Sequence, residues 1–157
     1  MGEHYSLRER MQQRAFHLVF RLTRSMTLGV RALVLREDEV WLVRHTYVKG
    51  WFLPGGGVER GETVRQALEK ELREEGNIRL TGEPEMVACM ANLSATLRDH
   101  VCYFIVRNCE QTAPYEANRE IAEGRWFAIH DLPEGTTCAT QARIAEFLAG
   151  DPPPDHW

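Results

Sequence analysis

The chain has 157 residues, enough for one compact domain and too few for two of ordinary size. Hydrophobic residues make up 43% and charged residues 27%, so a core can be buried without disulfides or a structural metal. A net charge of −4 is too mild for nucleic-acid binding through bulk electrostatics, and no apolar run approaches the roughly 20 residues that span a bilayer.

The charge is unevenly spread. Arg8, Arg10, Arg14, Arg21 and Arg24 against Glu3 and Glu9 leave residues 1–25 at +3 and the remainder at −7. An acidic body suits a site that collects divalent cations, and equally a surface kept soluble. Cys89, Cys102, Cys109 and Cys138 form no CxxC pair and no paired Cys/His spacing of the zinc-finger kind, which argues against a zinc site. Cys89 and Cys102 lie in apolar runs and read as small core residues. The sequence opens on no signal peptide, so the expected compartment is a reducing cytoplasm.

Residues Ser6 to Arg24 read as one helix, with Leu7, Met11, Ala15, Leu18 and Leu22 at helical spacing. Val30–Leu35 and Val40–Val43 read as strands joined through the acidic turn Glu37-Asp38-Glu39, a hairpin. Trp51-Phe52-Leu53-Pro54 then leads into Gly55-Gly56-Gly57, a run whose backbone can approach a ligand closely. Thr63 and Gln66 have the spacing of a capping box and open a helix running to Glu75, stopped by Gly76-Asn77. Met86–Met90, Val101–Val106 and Trp126–Ile129 are further strands, Asp131–Gly135 is a turn, and Thr140–Ala149 is a terminal helix. The tail Asp151–Trp157, with three consecutive prolines, reads as extended or loose. Strands on both sides of one helix, and another helix late, predict an α/β fold with a mixed sheet covered by helices.

The helix after the glycines is the informative element. At about 100° per residue, Val64, Leu68 and Leu72 fall in a sector about 80° wide that must face the core. Glu71 and Glu75 fall within or at the edge of that sector, and Glu74 adjoins it. Carboxylates turned inward, at the negative end of a helix, call for a compensating cation. Hard cations such as Mg2+ take carboxylate oxygens together with substrate phosphates. A solvated helix end with Lys70 and Arg73 as partners is the other reading of these acids alone. The glycine turn favours the first, since it sets backbone groups and carboxylates around one point.

Gly56 to Ile78 resembles the Nudix box, G-x5-E-x7-R-E-U-x-E-E-x-G-U, where U is aliphatic. Gly56, Glu62, Glu71, Leu72, Glu74, Glu75 and Ile78 match in register. Lys70 stands in place of the arginine, which loses the planar fork, and Asn77 in place of the glycine, which keeps access to the left-handed cap. The likeness extends over residues 27 to 149. It implies a Nudix-like α/β/α sandwich with a mixed central sheet, here with an extra N-terminal helix: residues 1–25 an amphipathic extension, 26–150 the hydrolase domain, 151–157 the tail.

The same resemblance implies a divalent-metal-dependent hydrolase that splits a phosphoanhydride bond in a nucleoside diphosphate linked to another group, such as a nucleotide sugar, a dinucleotide or a (d)NTP. Glu71, Glu74 and Glu75 would bind Mg2+ or Mn2+, with the Gly55 carbonyl completing the shell and Glu62 supporting the loop or reaching the metal through water. The general base would be a box glutamate or a later loop acid, for which Glu120 is the first candidate, itself near the metal, and Glu123 the second. Arg44, His45, Gly56, Gly57 and His100 are candidates for holding substrate. Arg98 and Asp99 share the strand opening with His100, and Trp51 and Phe52 offer faces for a base or for the core.

The N-terminal helix could dock on the domain, form a homodimer contact or lie on an anionic membrane, in that order, because Phe16, Val19 and Phe20 widen its apolar surface. Two further functions compete with the enzyme. One is a Nudix-fold nucleotide-binding or regulatory module with weak catalysis; the other is nucleic-acid decapping, against which the acidic body argues. Beyond the box, where many ADP-ribose enzymes carry a proline, the sequence reads Ala91-Asn92-Leu93-Ser94. The tyrosine of dinucleoside-polyphosphate enzymes and the extended coenzyme A motif are also missing, so the resemblance leaves the substrate open.

Overall fold

The computed structural model describes residues 25–157. The helix expected over Ser6–Arg24, and the docking, dimer and membrane roles considered for it, lie outside those residues. In chain order the described elements are β1 (Thr27–Arg36), β2 (Glu39–His45), α1 (Val64–Gly76), β3 (Ile78–Leu80), β4 (Glu85–Ala91), β5 (Asp99–Val106), β6 (Cys109–Gln111), β7 (Ile121–Ala128) and α2 (Cys138–Ala149).

The hairpin of β1 and β2 is paired only at its tip, Leu35 with Val40 and Arg36 with Glu39, around Glu37 at φ 52°. Past that point the strands part and the glycine segment fills the gap. Val30 N–H donates to Gly56 O at 2.8 Å, Ala32 N–H to Pro54 O at 3.0 Å, and Val58 N–H to Leu28 O at 2.8 Å. On the other side Val43 and Phe52 exchange two bonds of 2.9 Å. Buried peptide groups must be paired, and here a loop does the pairing that a strand would do.

The other edge of β1 runs parallel to β5 from Thr27–Asp99 to Val34–Val106. With β4 antiparallel to β5 and β7 antiparallel to β2, the five-stranded sheet has the order β4-β5-β1-β2-β7. Alternation along the strands divides the apolar side chains between two faces. Val30, Val34, Trp41, Val43 and Phe104 pack on Ala67, Leu68 and Leu72 of α1. Leu33, Leu42, Trp51, Leu53, Met90 and Tyr103 pack with Ile144 of α2. The result is the expected mixed-sheet α/β/α sandwich.

Several local expectations are revised. The strand expected over Trp126–Ile129 is Ile121–Ala128, because Glu123, Gly124 and Arg125 interrupt its apolar pattern while still pairing with β2. The short strands β3 and β6 pair with each other, too briefly to leave a periodic signal. Helix α2 starts at Cys138, since the Thr137 hydroxyl caps it by accepting from Thr140 N–H. The tail is extended but not loose. Ala91 N–H donates to Asp155 O at 2.9 Å, Trp157 N–H to Ala91 O at 3.0 Å, and the Trp157 ring meets Tyr103 edge-on at 5.7 Å. Cys102 is buried as expected, but Cys89 is exposed on β4, an edge strand. Among the described residues no helix is long and apolar enough to cross a membrane.

Candidate active site

Helix α1 carries the acids, and both its ends are fixed locally. The Thr63 hydroxyl accepts from Gln66 N–H, and the Gln66 side chain accepts in return from Thr63 N–H at 2.9 Å, a complete capping box. Asn77 ends the helix at φ 52°, ψ 34°, in the left-handed conformation its box position requires. Its side-chain amide donates to Pro114 O at 3.0 Å. The substitution of asparagine for glycine therefore leaves the cap intact.

The glycine loop lies directly against the acid-bearing face. Gly55 N–H donates to Glu75 Oε2 at 2.7 Å. At Gly55 φ is +143°, and a Cβ would overlap the Val30 carbonyl, so only glycine fits. A Cβ on Gly56 would overlap the Glu71 carboxylate, so Gly56 is what lets that carboxylate reach the loop. With the Pro54 and Gly56 carbonyls bonded to β1, the Gly55 carbonyl between them has no backbone partner among the described residues.

These groups border a cleft of about 690 Å³. Of the residues anticipated from sequence, His45, Gly55, Gly56, Gly57, Glu71, Glu74 and Glu120 line it. Glu75 lies beneath, only 4% exposed. Burial pushes its carboxyl up to about 8, against the pull of the Gly55 N–H and of Arg31. Glu71 is raised for the same reason, with Lys70 opposing and Glu74 adding to the shift. In both acids desolvation outweighs what the neighbouring cations offset.

Lys70, in the place of the box arginine, sits among three acids: Nζ is 3.4 Å from Glu59, 3.5 Å from Glu62 and 3.7 Å from Glu71. Glu62 also accepts from Glu59 N–H at 2.9 Å, which ties down the turn before α1. Glu120 precedes β7, held by Asn118 Oδ1, which accepts from Glu120 N–H at 2.8 Å. Burial and the Glu120 carboxylate together raise the Tyr47 hydroxyl above its ordinary pKa. Burial and Arg31 lower the His45 pKa, so its imidazole is neutral at neutral pH.

Several anticipated residues, Arg98 among them, are not brought to the cleft. Arg44 alternates onto the opposite face of β2, where it pairs with Glu123 at 2.6 Å and lies over the Trp51 ring. Glu123 is bound by that arginine and by Arg125. His100 shares a face of β5 with Cys102 and Phe104, away from the cleft lining. Trp51 is core, and Phe52 packs beside His45 with ring centres 5.3 Å apart. Asp99 does line the cleft and accepts from the Thr27 hydroxyl at 2.6 Å. Arg31 was missed. Its signal was an arginine inside the otherwise apolar run Val30–Leu35.

The donors suit a hard divalent cation: carboxylate oxygens on one helix face and a peptide carbonyl opposite. Among the described residues no three His, Cys, Asp or Glu side chains converge closely enough to hold a metal ion by themselves. Mg2+ sites typically stay open in this way, relying on one or two carboxylates with water and phosphate.

A glycine loop set between split strands, facing acids on the following helix in an α/β/α sandwich, is the arrangement of a Nudix domain. The chain belongs to that family: the NUDIX domain matches residues 26–148. It is 38% identical over 117 residues to the 8-oxo-dGDP phosphatase NUDT18 of Homo sapiens, covering 72% of this chain and 36% of that protein. The chain thus spans about a third of that relative's length. It is 26% identical over 121 residues to the ADP-ribose pyrophosphatase of Methanocaldococcus jannaschii, covering 73% of this chain and 69% of that one. In fold it is similar to the MutT NUDIX hydrolase from Burkholderia pseudomallei, at a TM-score of 0.66 and 22% identity, over 77% of this chain and 97% of that one.

Proposed function

We propose that the chain is a divalent-metal-dependent pyrophosphohydrolase that cleaves the phosphoanhydride of a nucleoside diphosphate linked to another group. The observation that carries this reading is the pair Glu71 and Glu75, turned inward on α1 with their carboxylates against Gly55 and Gly56. The relatives' names, an 8-oxo-dGDP phosphatase and an ADP-ribose pyrophosphatase, share a diphosphate attached to a nucleoside.

Glu71, Glu74 and Glu75, with the Gly55 carbonyl, would hold Mg2+ or Mn2+. When bound, the ion neutralises phosphate charge and makes a coordinated water a stronger acid. Glu62 and Lys70 keep the loop and the helix in register. Glu120, at the cleft edge, accepts the proton of the attacking water, and the bond from its backbone N–H to Asn118 Oδ1 fixes the segment that carries it.

The test is turnover of a panel of nucleotide sugars, dinucleotides and (d)NTPs with Mg2+ or Mn2+, followed by phosphorus NMR. Glu75→Gln should lower kcat by roughly a hundredfold or more. Unchanged turnover in that variant would sink the metal assignment. The open donor set and Lys70 favour one other reading, a weakly catalytic nucleotide-binding module. It predicts nucleotide binding with no metal-dependent turnover of any member of the panel.

A further inference from the structure

The cations lining the cleft are Arg31 and Lys70. Lys70 is engaged by three glutamates. Arg31 is not engaged: its Nη1 is buried and has no hydrogen-bond partner among the described residues. Burying a guanidinium N–H without an acceptor is costly, and an arginine is retained in such a place when something else supplies the acceptor. Arg36, further along the same strand, is by contrast paired with Glu39 at 2.6 Å.

Arg31 also borders a second cavity, of about 240 Å³. Its walls include Phe52, Asn92, Ser94, Thr140 and Trp157, and no acid lines it. Aromatic faces with neutral amide and hydroxyl groups match a base and a ribose. The two spaces thus differ in chemistry, acidic on one side and neutral on the other, with the unpartnered guanidinium between them.

We propose that Arg31 binds the substrate diphosphate and that the second cavity takes the nucleoside. The planar fork of the guanidinium meets phosphate oxygens in two parallel bonds, which orients the phosphate chain between the cavity and the acids of α1. The assignment deepens the function proposed above and rests on its reading of the cleft as a metal and phosphate site.

The α,β-methylene analogues of ADP and GDP resist cleavage at the bridging position, so binding can be measured by calorimetry with Mg2+ present. Arg31→Met should weaken the better-bound analogue by roughly tenfold or more, and weaken methylenediphosphonate as well. The same variant should leave Mg2+ binding without nucleotide intact. A merely structural arginine would change Tm and weaken neither ligand. Arg31→Lys should recover part of the affinity. Ala139→Phe, which fills the second cavity, should weaken the nucleotide analogue and spare methylenediphosphonate.

Unchanged analogue affinity in Arg31→Met overturns the role of the arginine. Equal losses of both ligands in Ala139→Phe overturn the nucleoside assignment, and a wild-type chain that binds neither nucleotide analogue overturns both. If Mg2+ alone fails to bind the wild-type chain, the reading of the cleft fails. Analogue binding without metal, compared between wild type and Arg31→Met, then still decides the arginine.

Discussion

Gly55, Gly56 and Gly57 are identical in formula and differ in what a methyl group would strike. At Gly55 it strikes the Val30 backbone, which cannot give way, at a φ of +143°. Gly55→Ala should therefore cost about 3 kcal/mol or more and abolish soluble expression or activity together. At Gly56 the methyl strikes the end of the Glu71 side chain. Gly56→Ala should fold, with Tm close to wild type, yet lose most of its turnover because the carboxylate is displaced. Nothing lies within 4 Å of the Gly57 position, so Gly57→Ala should be near neutral in both measurements. Thermal melts beside turnover separate the three outcomes. A Gly56→Ala variant of full activity would show that the Glu71 position does not matter. At this scale the sequence was readable where residue type alone restricts conformation, as at Gly55 and Asn77. It was silent on which face a strand residue takes, so Arg44 was anticipated in the cleft and Arg31 was not.

At the scale of elements, α1 was legible from end to end because its signals are local: a reciprocal cap at Thr63, an apolar stripe and a left-handed stop. Thr63→Ala removes that cap from an exposed helix start and should cost about 1 kcal/mol, with turnover within about twofold of wild type. Chemical denaturation checks it. A loss of activity far beyond the loss of stability would mean that the cap also positions the acids. Strands β3, β6 and β7 were illegible or misplaced for the converse reason: their identity comes from partners distant in sequence. Leu42 pairs with Arg125, and Ile78 with Gln111, and neither pairing leaves a periodic trace in its own segment. The docked tail is the same case, held by Ala91 and Tyr103 rather than by anything in its proline run.

Across the whole molecule, the buried acids link stability to pH. The Glu75 carboxyl is raised from 4.5 to about 8. The folded chain thus holds a proton that the unfolded chain has released. The stability this group contributes is complete below its unfolded pKa and is lost as pH rises through about 8. His45 is lowered, so its contribution is lost only on acidification below its ordinary value of 6.5. Melting the protein between about pH 6.5 and 8.5 therefore reads the raised acids without His45, and Tm should fall across that window, by an amount on the order of a few kcal/mol in stability. Mg2+ should restore Tm at the upper end, and Glu75→Gln should flatten the profile. A Tm that rises through the window would contradict the burial argument.

The segment wedged between β1 and β2 has a consequence for motion. Its peptide groups are bonded to strands on both flanks, Val30 and Ala32 on one side and Val43 on the other. A substrate-facing loop would ordinarily exchange its amide hydrogens with solvent far faster than the sheet beneath it. Here the amides of Val30, Ala32, Val43, Phe52 and Val58 should exchange slowly and as one cooperative group, because none can open without the others. Deuterium uptake by mass spectrometry would reveal this, and fast exchange at Phe52 and Val58 beside slow exchange at Val30 would refute it. The glycine loop would then be as durable as the sheet, and opening of the cleft would fall to the segments around Tyr47 and Glu120.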